Sequence, residues 1–381
     1  MKVLHLCLCS FFPDNYSYQE NLLPKFHNKM GFETEVIASL QTFDENGHVT
    51  YYEKAKKYRN EYDIPVTRLD YKEPAKLFKI FKKYIGFKDA LEKAAPDVIF
   101  MHGCQFLDIK IVANYMKKHP EVKLFVDNHA DFSNSATNFV SKNILHKMIW
   151  KRCAQLINPY TQKFYGVLPA RVDFLVNVYG LPKEKVELLV MGSDDDKIIE
   201  ADKPEVKKAI REKYNIADDD FLIMTGGKID LYKTQTLLLM EAVNKLDNPK
   251  VKLIVFGSVV PELKDKINEL CSDKVQYIGW VKSEDSYQYF SACDLTVFPG
   301  RHSVFWEQVA GQGKPMIVKY WDGTTHVDMK GNVTFLHKDS ADEIKEEIEK
   351  AIENYADMKK VAEDNAHMFK YSDIAKRSIE A

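Results

Sequence analysis

The residues of this 381-residue chain best suited to chemistry fall in two short stretches. The first reads "GGKIDLYKTQ" (226–235), with Lys228 and Lys233 five positions apart behind the pair Gly226 and Gly227. Glycines allow the backbone to turn tightly. Two ammonium groups near the start of a helix make an anion site, because the free N–H groups and the helix dipole add to their charge. Taken alone, the same pair also fits two solvated surface lysines. The second stretch reads "PGRHSVFWEQVAGQGKP" (299–315) and holds one carboxylate, Glu307, in a run that is otherwise apolar or small. Arg301, His302 and Ser303 stand just upstream. The pattern predicts a helix over 304–311 with Ser303 as its N-cap and Glu307 in its first or second turn. A carboxylate there gains ~0.3–1 kcal/mol from the helix dipole, which would explain it without function. Phe305, Trp306, Val309 and Ala310, however, mark the helix as buried. A buried carboxylate needs hydrogen-bond donors to offset its desolvation, and ligand hydroxyls would serve.

Other signatures are missing. No GxxxxGK[ST] occurs and no GxGxxG follows the first apolar run, which argues against a P-loop NTPase and a Rossmann dehydrogenase. No HExxH or tight His/Asp cluster suggests a metal, and none is expected. The six cysteines (Cys7, Cys9, Cys104, Cys153, Cys271, Cys293) form neither a zinc knuckle nor a CxxC, and read as free thiols in a reducing compartment.

These stretches need elements to hold them. The length suits two domains, and a hydrophobic fraction of 45% supplies their cores. The formal charge of 54 − 56 = −2 gives no global pull toward nucleic acid. Apolar runs at 2–9, 34–39, 96–103, 122–129 and 154–158 read as strands separated by helical patterns such as 17–31. A second series, at 220–227, 251–258, 275–280, 294–300 and 314–320, alternates with helices at 233–246, 261–271 and 283–293. This is α/β alternation repeated twice, predicting two Rossmann-like halves with parallel sheets. In such sheets ligands bind beyond the C-terminal strand ends, where both stretches fall. The acidic segment 191–205 reads as a linker, dividing 1–190 from 191–355, with a helical tail over 356–381. The N-terminus has too short an apolar region for a signal peptide, and no run reaches a membrane span, so a cytoplasmic protein is expected. "PAKLFKIFKKYIGFKDALEK" (74–93) places apolar residues at helical spacing among lysines. It reads either as an ordinary amphipathic helix or as one lying on an anionic membrane surface at the inner face.

In order and spacing these segments resemble the family 4 retaining glycosyltransferases (glycosyl transferases group 1), over roughly 2–355. "GGKIDLYK" looks like their G-[RK]-x-x-x-x-K element, and "WEQVAGQGKPMIV" like their "lEAmAcGkPvI" element. "DVIFMHG" and "VDNHADF" resemble two N-domain motifs, "VELLVMGSD" the domain junction, and "YIGWVKSEDSYQYFSACDLTVFP" the strands before the second element. The resemblance implies a GT-B fold, in which two such sheets face a cleft. It implies transfer of a sugar from a nucleotide diphosphate-sugar, with retention and without a metal or other cofactor, to a glycan or lipid-linked acceptor in polysaccharide or glycoconjugate synthesis. Lys228 and Lys233 would hold the diphosphate beside Gly227, Glu307 the ribose, and the peptide around Gly279, Trp280 and Val281 the base. His129 would face the donor sugar, although a hydrogen-bonded histidine at a strand end is an equal reading. Two departures stand out. The family's first Glu, eight positions before Glu307, is here Pro299, which leaves the sugar to His302 and Ser303, with Arg301 toward phosphate. The first loop is "PDNYSYQEN", where Tyr16, Tyr18 and Gln19 would reshape the acceptor side. Two other functions therefore stay open: a GT-B nucleotide-sugar epimerase, and a non-catalytic module binding nucleotide sugar or glycan.

Overall fold

A computed structural model describes residues 1–9, 11–44, 48–72 and 81–380. The chain divides into two compact units, one of Met1–Val190 with Ile374–Ala381 and one of Met191–Asp373.

The first unit contains β1 (Lys2–Cys7), β2 (Glu33–Ala38), β3 (Gln41–Phe43), β4 (Val49–Tyr51), β5 (Lys56–Arg59), β6 (Pro65–Arg68), β7 (Val98–His102), β8 (Lys123–Asn128), β9 (Thr161–Gly166) and β10 (Val186–Leu188). Eight of them form one sheet in the order β10-β9-β8-β7-β1-β2-β6-β5, while β3 and β4 pair separately. Among the described residues, only the edge pair β5–β6 of the large sheet is antiparallel. Near-continuous apolar runs explain why β1, β7 and β8 lie centrally, since a strand covered on both faces cannot alternate with polar residues. Leu4, Leu6, Ile99, Met101, Leu124 and Val126 enter one core, and Cys7, Val36, Ala38 and Val66 another. The strand order reverses between β1 and β7, so the loops after these two strands part to opposite sides.

The second unit contains β11 (Phe221–Gly226), β12 (Val251–Phe256), β13 (Val275–Tyr277), β14 (Leu295–Phe298), β15 (Met316–Lys319) and β16 (Val333–Leu336). They form a parallel sheet in the order β13-β12-β11-β14-β15-β16. Its reversal point lies between β11 and β14, the strands that "GGKIDLYK" and "PGRHS" follow.

Three expectations fail for physical reasons. Residues 154–158 are not a strand, because Cys153, Ala154 and Ile157 bury the i, i+1, i+4 face of a helix, Lys151–Ile157. The strand comes later, as β9. The acidic segment 191–205 is not a bare linker but holds a helix, Asp195–Ala201. The Asp194 carboxylate caps that helix by accepting from Asp196 N at 3.1 Å, and Asp195 and Asp196 suit its first turn. The segment 74–93 is not one amphipathic helix. Residues 73–80 lie outside the described residues, and the helix Phe87–Ala94 starts only after Gly86, which has φ 71°. Between them Tyr84 is buried, its hydroxyl donating to Leu8 O, and Lys82 turns inward to donate to Cys9 O. Of the described part of this stripe, Tyr84 serves the unit's core, whereas Ile85 is exposed. Among the described residues no helix is long and apolar enough to cross a membrane.

Candidate functional site

In the second unit the loops after β11, β12 and β13 are stitched together by their backbones. Gly227 N donates to Phe256 O at 3.0 Å, Ile229 N to Ser258 O at 2.8 Å and Gly257 N to Gly279 O at 2.8 Å. The approach is too close for side chains. A Cβ on Gly257 would lie 1.7 Å from Gly227 O, and both glycines have positive φ, 136° and 139°. This lattice sets the loop that carries the two lysines. Lys228 is exposed and pairs with Asp230 Oδ2 at 3.3 Å. Lys233 is half-buried, immediately before the helix Gln235–Asn244, and its backbone N donates to Asp230 O at 2.9 Å. The Asp230 carboxylate is held below its ordinary range by the Tyr232 N–H and then by Lys228. Gly279, with φ 80°, is followed by Trp280, whose side chain is mostly exposed, and by half-buried Val281.

The loop after β14 neighbours this one across the reversal point. Its helix runs Phe305–Gly311 with Val304 at the N-cap and no side-chain cap bond. Ser303 is therefore not the cap, and only its carbonyl meets the helix, accepting from Trp306 N at 3.0 Å. Arg301 is exposed, with its guanidinium 5.9 Å from the Trp321 ring. Glu307 has no exposed surface. Its Oε1 accepts from His302 Nε2 and from His326 Nε2, each at 2.8 Å, while Oε2 is buried without a partner. Burial opposes ionisation of Glu307, yet the two imidazoles hold its carboxyl well below the usual carboxylate range. The His302 ring stands edge-on to Trp306 at 5.0 Å, which fixes its direction. His302, Glu307 and His326 bring three possible metal-ligand atoms within 4.8 Å of one another. The two imidazole–carboxylate hydrogen bonds account for this clustering without a cation. No sequence signal pointed to His326, because it lies 19 positions from Glu307 in a loop without a motif.

The first unit gathers a second set at the ends of β7 and β8. Asp127 is fully buried, and its Oδ2 lies 2.9 Å from His102 Nδ1 and accepts from Gln19 Nε2 at 3.3 Å. His129 Nε2 is 3.6 Å from the same oxygen, and the ring is one-third exposed. Burial opposes protonation of His129, but the Asp127 charge wins and raises its pKa. Gln19, expected on the acceptor side, is buried and supports Asp127. Tyr18 belongs to an aromatic group, stacking on Tyr16 at 5.4 Å with Phe11 and Phe43 alongside. His102 continues inward to two more buried histidines, with Nε2 3.1 Å from His5 Nδ1, and His5 Nε2 2.9 Å from His27 Nδ1.

Residues 206–368 match the family model described as Glycosyl transferases group 1. The mannosylfructose-phosphate synthase of Agrobacterium fabrum is 22% identical over 209 residues, which are 51% of this chain and 44% of that protein. An uncharacterized glycosyltransferase of Methanocaldococcus jannaschii is 21% identical over 159 residues, 40% of each. The match thus spans less than half the length of these curated relatives. Among solved structures, a glycosyltransferase from Rickettsia africae superposes with a TM-score of 0.64 at 15% identity, covering 99% of this chain and 96% of that one. HepE of Anabaena in complex with UDP gives 0.62 at 17%, covering 99% and 98%. A UDP-GlcNAc 2-epimerase from Neisseria meningitidis bound to UDP-GlcNAc gives 0.65 at 15%, covering 100% and 99%. At these identities the likeness shows the GT-B fold and leaves the chemistry to the site.

Proposed function

We propose that this chain, whose residues 206–368 match the family model of the glycosyl transferases group 1, transfers a sugar from a nucleotide diphosphate-sugar to a glycan or lipid-linked acceptor with retention at the anomeric carbon. The observation that carries this reading is Glu307, a buried carboxylate with one oxygen fixed by two imidazoles and the other left over. An unsatisfied buried carboxylate oxygen is costly unless a ligand completes it. A ribose presents hydroxyl donors of the right kind. The loop across the reversal point brings Lys228 and Lys233, the charges a diphosphate needs.

In this reading the leaving diphosphate gathers negative charge as the bond to the sugar breaks. Lys228 and Lys233 stabilise it, and preorganised charge at a developing anion is often the largest catalytic contribution. No protein nucleophile is needed where the departing phosphate and the incoming hydroxyl share one face of the sugar. The phosphate oxygen then takes the acceptor's proton. His302 and Ser303 stand where the family's first Glu is replaced by Pro299 and take over contacts to the sugar, with Arg301 reaching phosphate. The peptide from Gly279 to Val281 reads the base. In the first unit Tyr18 serves the acceptor side and His129 faces the donor sugar, with Gln19 supporting His129 through Asp127.

Pro299 also favours a second reading, a module that binds nucleotide sugar without turning it over. Calorimetric titration with UDP and GDP, followed by a panel of nucleotide sugars with mass-spectrometric detection of products, separates the two. Binding without transfer or hydrolysis across the panel selects the module. Unchanged turnover in both Lys228→Ala and Lys233→Ala refutes the assignment of the lysines.

A further inference from the structure

The first unit contains an unbroken line of buried hydrogen bonds whose protons can be counted. It runs from Asp127 Oδ2 to His102 Nδ1 (2.9 Å), His102 Nε2 to His5 Nδ1 (3.1 Å), His5 Nε2 to His27 Nδ1 (2.9 Å) and His27 Nε2 to Ala375 O (2.9 Å). His5 and His27 have no exposed surface and His102 only 2%. Each of the four contacts needs one proton between its atoms. Both ends accept only, one as a carboxylate and the other as a backbone carbonyl. Three neutral imidazoles carry three N–H groups, one fewer than the contacts require.

We propose that the His102–His5–His27 line is a proton store, holding one proton more than three neutral rings and thereby setting the charge that Asp127 presents to His129. With His102 doubly protonated, His102 donates to both Asp127 and His5, His5 donates to His27, and His27 donates to Ala375 O. All four contacts are then satisfied. The positive ring also balances a carboxylate that burial would otherwise leave uncompensated. Burial pushes His5 down, and pushes His27 down to about 4, so the extra proton resides at the Asp127 end.

The structure also holds the alternative state. Ser378 Oγ lies 3.1 Å from His27 Nε2 and donates to Ala375 O at 2.8 Å. If the hydroxyl turns to donate to His27 Nε2, it supplies the fourth proton and three ring protons suffice, at the cost of both donors to Ala375 O. Each ring then carries its proton on Nδ1 and points it toward Asp127. Loss of one proton and rotation of one hydroxyl are thus a single event, and the Asp127 charge passes uncompensated to His129, 3.6 Å away. The other titratable groups acting on this end are Glu20 and Arg171, which act on His129, and the thiols of Cys7, Cys9 and Cys104. Burial raises all three thiols, that of Cys9 to about 12, so none competes for the proton near neutrality. At the far end the helix that carries Ala375 and Ser378 also carries Lys376 and Arg377. His102, His5 and His27 are positioning residues in this scheme, and it stands whether or not the protein transfers sugar.

The test is ¹H–¹⁵N spectroscopy of the full-length protein labelled at histidine, titrated from acid to alkaline pH. At neutral pH His102 is expected with both nitrogens protonated, and His5 and His27 with Nε2–H alone. Ser378→Ala removes the donor of the three-proton state. It should raise the pH at which the store empties by about one unit, the worth of one buried hydrogen bond. Asp127→Asn, nearly isosteric, should leave all three rings neutral. A His102 that stays neutral at neutral pH in the unaltered protein overturns the proposal, as does a Ser378→Ala titration that coincides with it.

Discussion

Replacing Glu307 with Gln is the perturbation that most directly probes the second unit. The amide keeps the shape and an acceptor oxygen for His302 and His326. It removes the charge and turns Oε2 into a donor. A hydrogen bond to a charged group contributes about 1.5–3 kcal/mol, against about 0.5–1.5 kcal/mol between neutral groups. Each ligand hydroxyl held by Glu307 should therefore lose about 1–2 kcal/mol, and one that meets the new NH₂ loses its bond outright. At 1.4 kcal/mol per tenfold this predicts a roughly 5- to 30-fold weaker Kd for the cognate nucleoside diphosphate per hydroxyl held, read by calorimetry. Stability gives the control. Glu307→Ala strips the acceptor from His326, whose side chain is fully buried, and should cost about 3 kcal/mol in denaturant unfolding. Glu307→Gln should cost far less. The pH dependence has a definite sign. The folded-state pKa of Glu307 lies below its unfolded value, so its contribution is fully present above about pH 4.3 and is lost as pH falls below that. In Glu307→Gln this part of the acid sensitivity should vanish. Nucleotide affinity within twofold of the unaltered protein would show that Glu307 serves only its two histidines.

Three further outcomes follow from the same geometry. Lys233→Ala should lower kcat on the order of 10²–10³-fold in a transfer assay, as for a lost oxyanion donor, with folding unchanged because the side chain is only half-buried. Gly257→Ala places a Cβ 1.7 Å from Gly227 O at φ 136°, so thermal unfolding should move down by many degrees and nucleotide binding should fall with it. Zn²⁺ should inhibit competitively with the donor, because His302, Glu307 and His326 can collapse onto it, and removal by EDTA should restore full activity. Activity that instead requires added metal would overturn the lysine-based mechanism.

The parts legible in the sequence were those whose information is local. Apolar runs 4–8 long revealed most central strands, and β11 and β14 were placed beside the stretches they deliver because strand, turn and helix are consecutive in the chain. "AQLIN" misled because a short apolar run fits a buried strand and a buried helix face equally well, and the contacts of Cys153, Ala154 and Ile157 decide between them. The lysine-flanked stripe of 74–93 misled similarly, since Gly86 breaks the helical period and Tyr84 and Lys82 find partners at Leu8 and Cys9, more than 70 positions away. The partners of the two candidate carboxylates were hidden for the same reason. His326 reaches Glu307 only because its loop returns beside the helix Phe305–Gly311, and the Asp127 line draws on β1, β7, β8 and the helices Gln19–Lys29 and Tyr371–Ser378. A buried charge has to be balanced by whatever the fold brings within 3 Å, and that choice is made by packing rather than by spacing. Glu307 was therefore visible in the sequence, with His302 five positions before it. Asp127 and the histidines His326, His5 and His27 became visible only in the folded chain.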